Sequence, residues 1–222
     1  LAAGQGKRMN SDMPKVLHKL GGAPLFWHAV NAGRALDPDR VVIVTGNGSD
    51  DVKKVAQSFD IEAEFAYQEE RLGTGHAVAQ AAPHLDGHDG DAVVLYGDTP
   101  FITADALMRM RDARVAHDVV VLGFEAADPA RYGRLVMQSG RLERIVEYND
   151  ATHEERAITF CNSGVVMAST KTLMELVAAI EAGNAVKEYY LTDIVGIANA
   201  RGLSCTAIAC DEAETLGINT RA

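Results

Sequence analysis

AVVLYGDTP, residues 92–100, is the stretch on which the fold turns. Residues 92–97 carry no charge and show no apolar–polar alternation. A short apolar run closed by a turn signal reads as a strand covered on both faces, and such strands belong to parallel sheets buried under helices. Asp98 and Pro100 make the turn, and Thr103 is placed to cap a helix over residues 103–116. Similar runs lie on either side: VVIVTG (41–46), IEAEFA (61–66) and VVVLGF (119–124). Helical patterns separate them, at 24–36, at 49–59 with Ser49 or Asp50 as cap, and at 75–82. Strand, helix, strand in this rhythm predicts an α/β fold, a mostly parallel sheet flanked by helices.

The pattern changes after Asp128. YGRLVM (132–137) and RLERIVEY (141–148) flank Gln138-Ser139-Gly140 and predict a β-hairpin. CNSGVVMAS (161–169), helices over 170–182 and 190–199, and a strand LSCTAIA (203–209) complete a mixed second half. No fixed-period repeat or Pro/Gly/Ser-rich linker divides the 222 residues, so one domain is expected.

Composition narrows the partners. A formal charge of −10 disfavours nucleic acid or an anionic membrane as the main partner. Cys161, Cys205 and Cys210 are odd in number and lack CxxC spacing, which suggests neither a disulfide framework nor a zinc site. A reducing cytoplasm follows as the simpler expectation. No apolar stretch approaches the ~20 residues needed to cross a bilayer. The chain opens on Leu1 rather than methionine, and LAA is expected to be the end of a buried strand whose earlier residues lie upstream.

Chemistry is expected where parallel strands end. The opening LAAGQGKRM sets Gly4 and Gly6 beside Lys7 and Arg8, a combination suited to an anion. A dinucleotide fingerprint would need glycine at Met9, and a P-loop would need it at Leu1, so neither motif is present. Asp98, directly after its strand, suits either a turn that bonds its own backbone or a divalent metal bridging phosphates. In YQEERLGTGHA (67–77), Gly73 and Gly75 allow close backbone approach around Thr74, and the following helix directs its N-terminus at an anion or at base edges; a plain loop fits equally well. Lys15 reads as either a solvated lysine or a phosphate contact. His76 reads as a helix-start residue.

In combination these pieces say more. LAAGQGKRM, PKVLH (14–18), LGTGHA (72–77), LYGDTP (95–100), YGR (132–134), NSG (162–164), EYYLTDI (188–194) and GINTR (217–221) resemble a sugar-nucleotide pyrophosphorylase. The resemblance is to the N-terminal uridylyltransferase domain of the bacterial bifunctional N-acetylglucosamine-1-phosphate uridylyltransferase/glucosamine-1-phosphate acetyltransferase, and it runs the length of the chain. It implies a Rossmann-like nucleotidyltransferase fold, with nucleotide binding in about the first 125 residues and sugar binding after that. The reaction implied joins UTP and N-acetylglucosamine 1-phosphate into UDP-N-acetylglucosamine, a cell-wall precursor, and releases pyrophosphate.

By the same resemblance, the backbone of Leu1, Ala2, Ala3 and Gly4 holds the nucleotide, and Gln68, Gly73 and Thr74 recognise the base. Arg8 and Lys15 face the triphosphate as catalytic cations. Tyr96, Gly97 and Asp98 lie beside ribose and phosphates, with Asp98 and Asn219 as ligands of Mg2+. Gly133, Glu147 and Asn162 bind the amino sugar. EYYLTDI is expected to support the site mainly by packing, with Thr192 and Asp193 behind the sugar pocket. The hexapeptide β-helix that gives such enzymes acetyl transfer and a homotrimer is not in this chain. A nucleotidylyltransferase for another sugar 1-phosphate, such as glucose 1-phosphate, is the alternative; a noncatalytic nucleotide-binding module is a further one.

Overall fold

The computed structural model describes residues 1–4, 13–184 and 186–218. The elements, in chain order, begin with a small antiparallel pair, β1 (Lys19–Leu20) and β2 (Ala23–Pro24), leading into α1 (Leu25–Gly33). β3 (Val42–Thr45), α2 (Ser49–Ser58) and β4 (Glu64–Tyr67) follow, and β3 pairs with β4 in parallel. Next come α3 (Thr74–Ala79), α4 (Ala82–Leu85), β5 (Asp91–Val94), α5 (Ala104–Arg114) and β6 (Val119–Glu125). The hairpin is β7 (Arg134–Gln138) and β8 (Arg141–Val146), followed by α6 (His153–Arg156) and β9 (Phe160–Ser169). α7 (Thr170–Val177), α8 (Asp193–Ala200) and β10 (Cys205–Cys210) close the fold.

The main sheet is ordered β10-β6-β9-β7-β8, with β5 also on β9. β10 and β6 run parallel, whereas β9 runs antiparallel to β6, β5 and β7. The sheet is therefore mixed, and its antiparallel members come chiefly from the second half of the chain. β6 explains why an uninterrupted apolar run forms a strand. Val119 and Val121 pack with Leu173, Leu176 and Ile194 on one face, while Val120 and Leu122 pack with Leu107 and Met110 of α5 on the other. Both faces are covered, so alternation has no function.

β3 and β5 are joined through the first residues of the chain. Ala2 pairs with Thr45 in parallel, its N–H donating to Val44 O at 2.7 Å. Leu1 N donates to Leu95 O, and Gly97 N donates to Leu1 O at 2.9 Å. Leu1 and Ala2 thus lie extended in the sheet direction, as the strand-end reading of LAA requires. A cavity of about 420 Å³ lies between β3 and β5, walled largely by apolar residues such as Phe26, Ile43, Val93 and Leu95.

Local signals hold with small shifts. Thr103 caps α5 by accepting from Ala106 N. α2 is capped instead by Gly48 in left-handed backbone, so Ser49 is its first helical residue. The helix expected over 75–82 splits into α3 and α4, with Pro83 in the first turn of α4. Ser139 and Gly140 both have positive φ, 50° and 79°, as a two-residue hairpin turn of the right twist demands. Cys161, Cys205 and Cys210 are free thiols, and no described helix is long and apolar enough to cross a membrane.

Leu122 is fully buried between β6 and α5. Leu122→Ala is expected to lower unfolding free energy by about 2–5 kcal/mol through lost burial and a residual cavity, read by urea denaturation; an unchanged midpoint would contradict the two-faced packing.

Candidate functional site

The parallel strands deliver their carboxyl ends to one edge, and most of the residues singled out in the sequence lie there. Gly97 follows β5 where a side chain would crowd its neighbours: a Cβ would stand 3.0 Å from Val16 Cγ1 and 3.2 Å from Leu1 O. At Gly46, after β3, a Cβ would stand 3.2 Å from Ala3 O. Leu1, Ala2, Ala3 and Gly97 are thereby packed backbone to backbone, with Gly4 following at the surface.

Gln68 leaves β4 with its N–H on Thr45 O at 2.7 Å and is buried. The loop beyond it is held by the segment at 189–191. Tyr189 N donates to Leu72 O at 2.7 Å, Gly75 N to Tyr189 O at 2.8 Å, and Leu191 N to Thr74 Oγ1 at 3.0 Å. Gly73 has φ of +112°, and a Cβ there would lie 2.5 Å from Tyr189 O. The Gly75 N–H is used on Tyr189, so of the two readings of this stretch, a helix start facing a ligand or a plain loop, the Gly75 contact serves loop closure.

Lys15 is buried, not solvated, and its Nζ contacts Asp98 Oδ2 at 2.6 Å. Pro14 starts the short helical turn Lys15–Leu17 that carries it in. Asp98 keeps a third of its side-chain surface exposed, and its carbonyl accepts from Ile218 N at 3.0 Å. Arg8 and Asn219 lie outside the described residues, as do Gly6 and Lys7, although the Ile218 contact brings the chain beside Asp98 at the residue before Asn219.

The second half adds a pocket alongside. Asn162 N donates to Gly133 O at 2.8 Å, and a Cβ at Gly133 would meet Glu147 Oε1 at 3.4 Å and Asn162 Cβ at 3.6 Å. Three residues far apart in sequence thus converge. Thr192 Oγ1 donates to Glu147 Oε1 at 3.1 Å. Tyr96 lines a crevice of about 10 Å³ with Asn162, Gly164 and Thr192, and its hydroxyl bonds the Thr74 side chain. Burial raises the Tyr96 phenol above its ordinary range, with the Glu147 and Asp98 charges adding to the effect while the Thr74 bond opposes it. Tyr96 therefore stays a neutral phenol between the two halves.

Thr192, read from the sequence as standing behind the sugar-binding residues, bonds Glu147 from there. Gly164 and Tyr189 were missed as individual residues. Gly164 sits at φ +94° with the Tyr96 ring where a Cβ would be, 2.8 Å from Cε2; NSG and EYYLTDI contained the signal, but no spacing rule links either to Tyr96 or Gly73. Among the described residues no group of three or more His, Cys, Asp or Glu side chains forms a metal cage.

A parallel-strand edge carrying a lysine–aspartate pair, next to a cluster of Gly133, Glu147 and Asn162, fits a nucleotidyltransferase. The chain belongs to the MobA-like NTP transferase domain family, whose model matches residues 1–184. It is 60% identical over 222 residues to "Bifunctional protein GlmU" of Cereibacter sphaeroides, covering 100% of this chain and 49% of that protein. The chain spans about half the length of the curated relatives it matches. The inositol-1-phosphate CTP transferase from T. maritima shares the fold at TM-score 0.75 and 18% identity, covering 95% of this chain and 84% of that one. UDP-glucose pyrophosphorylase complexed with UDP-glucose does so at TM-score 0.73 and 20% identity, covering 94% and 88%.

Burial holds the Glu147 carboxyl above the ordinary carboxylate range; the Thr192 hydroxyl opposes this, and Asp193 and Asp150 reinforce it. A carboxylate whose folded pKa is raised destabilises the fold as pH climbs from its unfolded pKa through its folded one. Glu147→Gln is therefore expected to raise Tm near neutral pH, with the gain vanishing below the ordinary glutamate range. Melts from acid to neutral pH check this; a gain independent of pH would contradict it.

Proposed function

We propose that the chain is a uridylyltransferase that converts UTP and N-acetylglucosamine 1-phosphate to UDP-N-acetylglucosamine and pyrophosphate. The observation that carries the reading is the convergence of Gly133, Glu147 and Asn162 beside Tyr96, one turn of chain from Asp98. This sets a carboxylate acceptor and an amide side by side, a pairing suited to the hydroxyls and acetamido group of an amino sugar. The 60% identity to GlmU over the whole chain supports the same reading. Base and ribose belong on the side of Leu1 to Gly4, Gln68, Gly73 and Thr74, so that about the first 125 residues serve the nucleotide and the rest the sugar.

The chemistry needs little from acid–base groups. A sugar phosphate is already anionic at neutral pH, and one of its oxygens attacks the α-phosphorus of UTP. The bond from α-phosphorus to the β-phosphate oxygen breaks, and its electron pair leaves with pyrophosphate. The obstacle is bringing two anions together, so alignment and positive charge dominate the rate. Lys15 is held rigidly at the junction by burial and by Asp98, where its ammonium offsets charge on the phosphates. Arg8 serves the triphosphate in the same way on this reading. Tyr96, kept neutral, orients substrate without adding a charge.

Asp98 also fits a divalent cation: a partly exposed hard oxygen at a strand end matches Mg2+ bound through one or two protein ligands plus substrate phosphates. Mg2+ held by Asp98 and Asn219 would supply Lewis-acid charge neutralisation.

The test is pyrophosphate release from UTP with N-acetylglucosamine 1-phosphate against glucose 1-phosphate. A strong preference for the acetylated sugar is expected; equal rates, or preference for glucose 1-phosphate, would overturn the sugar assignment. Asp98→Asn should lose kcat by about 100-fold or more while UTP affinity changes little, in keeping with loss of electrostatic stabilisation. Near-native turnover would remove Asp98 from the machinery. Lys15→Ala should likewise act on kcat, by about 100-fold; an effect confined to KM would make it a binding residue.

A further inference from the structure

One buried polar contact bears on which base the nucleotide end accepts. Gln68 is 4% exposed. Its amide nitrogen lies 3.3 Å from Gly73 O and 3.0 Å from His76 Nδ1. A backbone carbonyl only accepts, so the atom facing Gly73 is the amide nitrogen and not its oxygen. The same NH2 group reaches His76, so Nδ1 presents its lone pair and the ring proton sits on Nε2. The Gln80 amide nitrogen also comes within 3.3 Å of His76 Nε2, but its nearer partner is the His76 carbonyl at 3.0 Å, which leaves the ring's lone pair to Gln68. Both N–H groups of Gln68 are thereby engaged. Its oxygen is what remains for a ligand.

We propose that His76 is a positioning residue for base selection: by accepting from Gln68 it holds that amide oxygen outward, so the site takes a pyrimidine whose ring nitrogen donates and rejects one whose ring nitrogen accepts. This rests on the nucleotide reading above. Uracil carries a hydrogen on N3 and meets the requirement; cytosine carries a lone pair there and faces the oxygen with another acceptor. The helix register makes the contact possible, since His76 lies in the first turn of α3 and points back toward the end of β4. The Tyr189 ring, with its centroid 6.3 Å from that of His76, backs the imidazole. Remove the imidazole and one amide N–H loses its partner, so the amide gains the freedom to turn its NH2 outward and accommodate cytosine. Sites that discriminate through a fixed hydrogen bond do so because the wrong ligand leaves a buried group unpaired.

The experiment measures kcat/KM for UTP and for CTP, each with N-acetylglucosamine 1-phosphate, in the wild-type chain, His76→Leu and His76→Asn. The Asn oxygen stands close to where Nδ1 was and can accept from Gln68. Wild type is expected to favour UTP. His76→Leu should cut the UTP-to-CTP ratio by about 10- to 100-fold, the span associated with one mispaired buried hydrogen bond, and His76→Asn should restore most of it. A His76→Leu variant that loses both activities in parallel, ratio unchanged, would overturn the proposal and leave a packing role. An Asn variant no better than Leu would also overturn it, because the lost property would not be the acceptor. Absence of any UTP preference in wild type would instead sink the nucleotide reading itself, before any variant is considered.

Discussion

The site depends on an irregularity in one strand. β9 pairs with β6 along its length, but Val166 faces Val121 while Asn162 faces Gly123, so residues 163–165 stand opposite Leu122 alone. The surplus is absorbed by local bonds: Ser163 Oγ donates to Leu122 O at 2.6 Å, Val165 N donates to Ser163 Oγ at 3.1 Å, and Gly164 N donates to Asn162 Oδ1 at 3.0 Å. A bulge re-aims the side chains that flank it. Here it separates two partners on the other edge of β9, with β5 on residues 166–169 and β7 on Cys161. The gap between them receives Tyr96, pressed onto Gly164, and the pocket opens there.

From that constraint the division of labour follows. β5 leads to Tyr96, Gly97 and Asp98; β7 and β8 supply Gly133 and Glu147; β9 supplies Asn162. β5 and β7 meet the bulged β9 and β8 joins through β7, so that together with Lys15 they bring a cation, two carboxylates and an amide into one neighbourhood. Lys15, buried against Asp98, is the described cation of that neighbourhood.

The parts of this arrangement legible in the sequence are those governed by local rules. Runs at 92–97 and 119–124 read as strands because burial on both faces erases alternation, and Thr103 reads as a cap because hydroxyl capping needs only its own neighbours. Motif matching selected Gly133, Glu147 and Asn162, and these do come together. The hairpin was legible in its turn at 138–140, but nothing in the apolar run at 161–169 fixes strand direction, and β9 proves antiparallel to β6. IEAEFA was read three residues early, since Ile61 is apolar through packing below α2 and not through pairing; its N–H donates to Ala56 O at 3.0 Å. Contacts made across long separations escaped local reading altogether. Lys15 with Asp98 spans 83 residues and Thr192 with Glu147 spans 45, while His76 with Gln68 is near in sequence but depends on how a loop folds back.

The most direct test is a crystal structure with UDP-N-acetylglucosamine bound. The account predicts uracil against Gln68 and Gly73, the diphosphate beside Lys15 and Asp98, and the acetylated sugar between Glu147 and Asn162 with the β9 bulge unchanged. A sugar ring seated elsewhere, or a nucleotide in the apolar cavity between β3 and β5, would contradict it.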